Sequence, residues 1–72
     1  MKPLDSRTLY MLTDLRTRAR AIYDGVELEK RRGEAQLVRK ATLAEAQADR
    51  VDDGMGGLTT WPKGWQCADG VT

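Results

Sequence analysis

A chain of 72 residues with a net charge of +1, one cysteine and no histidine excludes several classes of protein at once. Cys67 alone cannot close an intramolecular disulfide, and a Cys/His zinc centre lacks its ligands. The near-zero net charge removes any global bias towards nucleic acid or membrane, and no apolar run approaches the roughly 20 residues of a membrane span.

A chain this short buries only about 60% of its unfolded surface. Self-association or a stable complex with another protein is therefore the expected remedy, and the fold is expected to be undersized as a free monomer. The N-terminus lacks the apolar core of a signal peptide. With a single thiol, this points to a cytoplasmic protein, or one carried in a virion.

Taken in order, residues 1–5 form a short lead. Asp5 is a good N-cap, and Leu4 and Leu9 then occupy the two positions of a hydrophobic staple. A first helix is predicted over about 5–24. Leu12, Leu15, Ala19, Ile22 and Val26 are spaced 3, 4, 3, 4 and fall on one helical stripe. Thr13, Asp14, Thr17 and Asp24 lie on the far side, and Tyr10 falls outside the stripe as a surface residue. Arg16, Arg18 and Arg20 crowd the C-terminal half, the favourable end of the helix dipole for cations. Asp24 and Gly25 read as a break, with Gly25 in the left-handed conformation that closes a helix.

A second helix is predicted over about 27–52. Glu27 and Glu29 suit its first turn, and Glu27 sits four residues before Arg31, a favourable pair. Gly33 is kept inside this helix. Leu37, Ala41, Ala44, Ala48 and Val51 repeat the helical spacing, but a stripe of alanines removes little apolar area from water and needs a bulkier surface to pack on. The fold class expected is all-α: a two-helix hairpin, with one long coiled-coil-like helix as the rival, followed by an irregular tail. In domain terms, residues 1–53 are a helical body, and residues 54–72 a glycine-rich hinge and an extended tail carrying Trp61 and Trp65.

The functional reading is of a non-enzymatic protein–protein interaction protein. With no histidine and a small core, nothing preorganises a charged catalytic site, and no cofactor, metal or small-molecule substrate is indicated. The glycines at 54, 56 and 57 lack the Lys-Ser/Thr of a phosphate loop. Asp49, Asp52 and Asp53 lack the ligand pattern of a calcium loop. The partner, whether a protein or a second copy, would be engaged by Leu12, Leu15, Ala19, Ile22, Val26, Leu37, Ala41, Ala44 and Ala48. Trp61 and Trp65 would either anchor into that partner or fold back to complete the undersized core. Brevity, a bare helical body and a two-tryptophan tail resemble, in style and without a shared motif, small bacteriophage accessory or virion-assembly adaptors. Inhibition of a host enzyme by direct binding is a related reading. The second class is nucleic-acid binding, with Arg16, Arg20, Lys30, Arg31, Arg32, Arg39 and Lys40 as phosphate contacts. Against it, residues 25–52 balance six cations with six anions, the pattern of a solvated, salt-bridged surface.

Overall fold

The computed structural model describes residues 4–72; the start of the N-terminal lead, on which the absence of a signal peptide was read, lies outside the described residues. The architecture is mostly β, with 36% of the described residues in strands and 19% helical. This overturns the expected all-α hairpin, the single coiled-coil helix and both helix ranges. In chain order the elements are β1 (Leu9–Asp14), β2 (Arg20–Asp24), α1 (Gly25–Arg31), β3 (Gln36–Lys40), α2 (Leu43–Ala48), β4 (Val51–Asp52), β5 (Leu58–Thr59), β6 (Gln66–Cys67) and β7 (Gly70–Val71). The main sheet has the order β2-β1-β3, with both outer strands antiparallel to β1. β4–β5 and β6–β7 are separate two-stranded ribbons.

The reason for the reversal lies in Leu9-Tyr10-Met11-Leu12, four consecutive apolar residues that are all buried. A helix would bury only some of four consecutive positions. A central strand covered on both faces buries all of them, because alternate side chains enter opposite cores. Leu9 and Met11 join Ile22, Ala41 and Ala46 on one face, where Trp61, Trp65 and Cys67 pack against them. Tyr10 and Leu12 join Leu28 on the other, where Leu4 and Tyr23 close the edge. The helical stripe is thereby dispersed: Leu12 and Ile22 are buried on opposite faces, while Leu15, Ala19 and Val26 are exposed. Tyr10, expected at the surface, is buried, and its hydroxyl accepts the Asp5 N–H at 3.0 Å.

Local chemistry fits this arrangement. Asp14 closes the β1–β2 turn: its carboxylate accepts the N–H groups of Arg16 and Thr17 at 2.8 and 3.2 Å, an Asx-type turn. Those two bonds, Thr17's first, hold its pKa below the usual carboxylate value. Arg18 takes the left-handed conformation that the turn demands, with φ 63°. Asp5 caps a turn rather than a helix, accepting from Arg7 N–H at 2.8 Å.

A helix does begin at Asp24 and Gly25, but there it is the first helix in the chain. Asp24 is its N-cap and accepts the Glu27 N–H at 2.8 Å. Gly33 lies beyond its end and not inside it. The Gln36 side chain spans the α1–β3 loop, accepting from Gly33 N–H and donating to the Arg31 carbonyl. The alanine stripe is split as well. Leu37 is on β3, Ala41 is buried between elements, and in α2 it is Ala46 that is buried while Ala44 and Ala48 face solvent.

The C-terminal segment is tied to the body by its backbone. Gln66 N–H donates to the Arg7 carbonyl and Ala68 N–H to the Ala41 carbonyl, both at 2.8 Å. The Asp69 carboxylate accepts the N–H of Leu43 at the start of α2. Trp61 and Trp65 meet edge to face with ring centroids 5.4 Å apart, and the Arg7 guanidinium lies 4.6 Å from the Trp65 ring centre. Of the two readings of the tryptophans, this geometry is that of a completed core.

Gly25 is buried, and a Cβ there would collide with the backbone carbonyl of Asp5. A backbone atom cannot rotate out of the way, so Gly25→Ala is expected to behave as overpacking and destabilise by about 1–3 kcal/mol. Thermal denaturation followed by circular dichroism should show a melting temperature lowered by roughly 5–15 °C.

Candidate interaction surface

The sheet has two open edges. Their hydrogen-bonding direction follows from bonds at the ends of the ladders. Ala41 N–H donates to Leu9 O at 2.9 Å, and Leu15 N–H to Ala35 O at 2.8 Å. With the register Leu12↔Val38, the bonded pairs are the odd-numbered residues of β3. Antiparallel alternation then turns the N–H groups of Gln36, Val38 and Lys40 away from the sheet. By the same rule Asp14 N–H to Ala19 O sets β2, and Arg20 and Ile22 face outward on the opposite edge.

The β3 side is the more exposed of the two. Leu37 is 59% and Val38 37% exposed, and Leu15, beside them on the extended ladder, is 49% exposed. Asp14 pairs with Gln36 and opens the β1–β2 turn, so that turn and the α1–β3 loop lie at one end of the sheet. Segments 15–20 and 30–40 together carry eight cations and one anion, Glu34. Four of the cations are held by carboxylates of this chain: Arg20 and Arg39 by Glu45 at 3.0 and 2.7 Å, Arg31 by Glu27 at 2.9 Å, and Arg32 by Glu29 at 3.3 Å. Arg16, Arg18, Lys30 and Lys40 make no ion pair with a described residue. The phosphate-contact candidates are thus brought to one end and one edge, but four of the seven are held by carboxylates of this chain. The Glu27–Arg31 pair matches the expectation from the sequence, and Arg20 pairs with Glu45.

Glu45 is the electrostatic centre of this face. It is the fourth residue of a capping box, Thr42-Leu43-Ala44-Glu45. Thr42 Oγ1 accepts the Glu45 N–H at 3.2 Å, and Glu45 Oε1 accepts the Thr42 N–H at 2.9 Å. Its carboxylate also reaches Arg39 on β3 and Arg20 on β2, spanning the sheet above Met11, which pairs with Arg39. Arg39 chiefly, then the Thr42 N–H, hold its pKa down at about 2 from 4.5. That Thr-x-x-Glu signal was present in the sequence and marked α2.

Elsewhere the geometry offers little for chemistry. Two shallow grooves of about 210 and 240 Å³ lie along β2, one on each face, and share Arg20 and Ala21. Asp49 accepts the Trp61 indole N–H at 2.9 Å. Asp52 and Asp53 accept N–H groups of the β4–β5 loop, and among the described residues no three acidic or Cys side chains cluster as a metal site. Burial first, and Asp69 second, push the Cys67 thiol up in pKa. Among the described residues no helix is long and apolar enough to cross a membrane. No known protein family, no curated protein and no solved structure matches the chain.

Because the folded-state pKa of Glu45 is depressed, its stabilising contribution is fully present above 4.5 and is lost as pH falls towards about 2. At neutral pH, Glu45→Gln should lower the melting temperature by a few degrees, since the pairs are solvent-screened. The gap between wild type and variant should close across that acidic window, as followed by melts at stepped pH.

Proposed function

We propose that this protein is a non-enzymatic docking module that receives an extended, acidic protein segment along the free edge of β3. The observation that carries the reading is the row of outward N–H groups at Gln36, Val38 and Lys40 along β3, with Leu37 and Val38 exposed on it and Leu15 exposed beside Ala35 at its end; Lys40 on this edge, and Arg16 and Arg18 on the β1–β2 turn at the end of the sheet, make no ion pair with a described residue. Strand addition draws affinity from main-chain bonds and specificity from flanking side chains. Basic side chains on the edge discourage indiscriminate pairing and favour a partner strand bearing carboxylates. The aliphatic character of the patch speaks for protein over nucleic acid. Tyr10 is buried, and Tyr23, Trp61 and Trp65 are half-buried against the cores, so they form no open stacking platform. A reducing, cytoplasmic setting suits the single free thiol, and a role as an assembly adaptor is compatible with so small a body.

The test is an amide NMR titration with a short synthetic peptide of alternating valine and glutamate, beside a DNA duplex. The peptide should shift the resonances of Gln36, Val38 and Lys40 saturably. Val38→Pro, which removes one outward donor and leaves the β1 ladder intact, should weaken binding about tenfold, the value of roughly one hydrogen bond. Shifts produced only by the duplex, with steep salt dependence, would favour the nucleic-acid reading. Silence towards both probes would remove β3 from the mechanism.

A further inference from the structure

The chain also carries a surface complementary to its own β3 edge. The β4–β5 ribbon presents Met55 of its loop, 91% exposed, and Leu58 of β5, 71% exposed, beside Asp52 and Asp53. Each of these carboxylates commits one oxygen to the loop's own N–H groups, and neither meets a cation among the described residues. The loop is built, not slack: Asp53 N–H donates to the Gly57 carbonyl at 3.1 Å, and Gly54 and Gly56 hold φ near +80°. An apolar tip flanked by two anions thus matches an apolar edge flanked by cations.

The two surfaces do not share a side of the molecule. α2 crosses the sheet, and its end, Ala48 and Asp49, lines the groove against Arg20, Ala21 and Ile22 of β2. The β4–β5 ribbon follows directly after Asp49, so its root lies beside β2, whereas the receiving edge is β3. A ribbon rooted beside β2, on the opposite edge of the sheet from β3, is available to another copy's β3 edge. Resting on the β3 reading above, we infer that β3 receives the β4–β5 ribbon of a second copy of this chain, its extended Leu58–Thr59 strand along the edge and its Asp52, Asp53 and Met55 beside it. Donor and acceptor patches differ, so the contact is heterologous and propagates head to tail, as a ring if the rotation closes and a filament if it does not. It also removes Met55, Leu37 and Leu15 from water, the apolar surface that a chain of this size leaves uncovered.

Sedimentation of three full-length proteins tests this: wild type, Leu37→Asp, which blocks the acceptor, and Met55→Lys, which blocks the donor. Both substituted side chains are solvent-exposed in the monomer, and circular dichroism checks that each variant remains folded. Wild type should form species larger than a dimer, weakened by salt. Each variant alone should lose every species above monomer. Their equimolar mixture should recover a dimer and nothing larger, because one intact donor meets one intact acceptor. A wild type that stays monomeric overturns the inference; if the valine–glutamate peptide still binds β3, the docking reading survives it, and if the peptide fails as well, both fall. Association of Met55→Lys equal to that of wild type also overturns it, pointing to a symmetric contact that excludes the ribbon. A mixture that remains monomeric overturns it too.

Discussion

Burial of β1 on both faces is the constraint from which the rest of the structure follows. Leu9 and Met11 point one way, Tyr10 and Leu12 the other, and neither set can be covered by the sheet itself. Each face requires its own cover, and the chain supplies them from different places. α1 brings Leu28 to one face. For the other, α2 brings only Ala46, too small to seal it, and Trp61, Trp65 and Cys67 return from the C-terminal segment to finish the work. A body of 72 residues thus builds two small cores on one strand instead of one larger core between helices.

What the sequence revealed and concealed can be traced to particular residues. The 3, 4, 3, 4 spacing of Leu12, Leu15, Ala19, Ile22 and Val26 was real, but three of its members are exposed, so the period described no face. The unbroken run at Leu9–Leu12 was the better signal, since continuous apolar stretches suit a strand buried on both sides, and Thr8, Tyr10, Thr13, Ile22 and Tyr23 add β-favouring side chains around it. A helix over 27–52 would leave no room for a loop at Gly33; with 36–40 a strand, the loop is natural. Glu27 in the first turn of a helix was legible because end chemistry is local, whereas Asp24, the cap of that helix, reads in the sequence as the end of a preceding one. Strand pairing is not local: nothing near Leu12 in sequence announces Val38.

The same logic applies to the interaction surface. Leu15 and Leu37 belong to separate helical stripes in the sequence, yet they adjoin because the β1–β3 ladder brings Leu15 beside Ala35 and Thr13 beside Leu37. The cations at 16, 18, 30 and 40 make no ion pair with a described residue, whereas those at 20, 31, 32 and 39 are held by Glu27, Glu29 and Glu45. Composition counts these charges alike; only the fold separates a stabilising cation from one available to a partner.

Nuclear Overhauser contacts between α-protons test the two-faced central strand most directly, since in antiparallel pairs they are short only between residues of non-hydrogen-bonded pairs. The account requires strong cross-strand contacts between Leu12 and Val38 and between Met11 and Ile22, the two neighbours of β1. Sequential helical contacts running three residues apart through residues 9–24, with those cross-strand contacts absent, would contradict it.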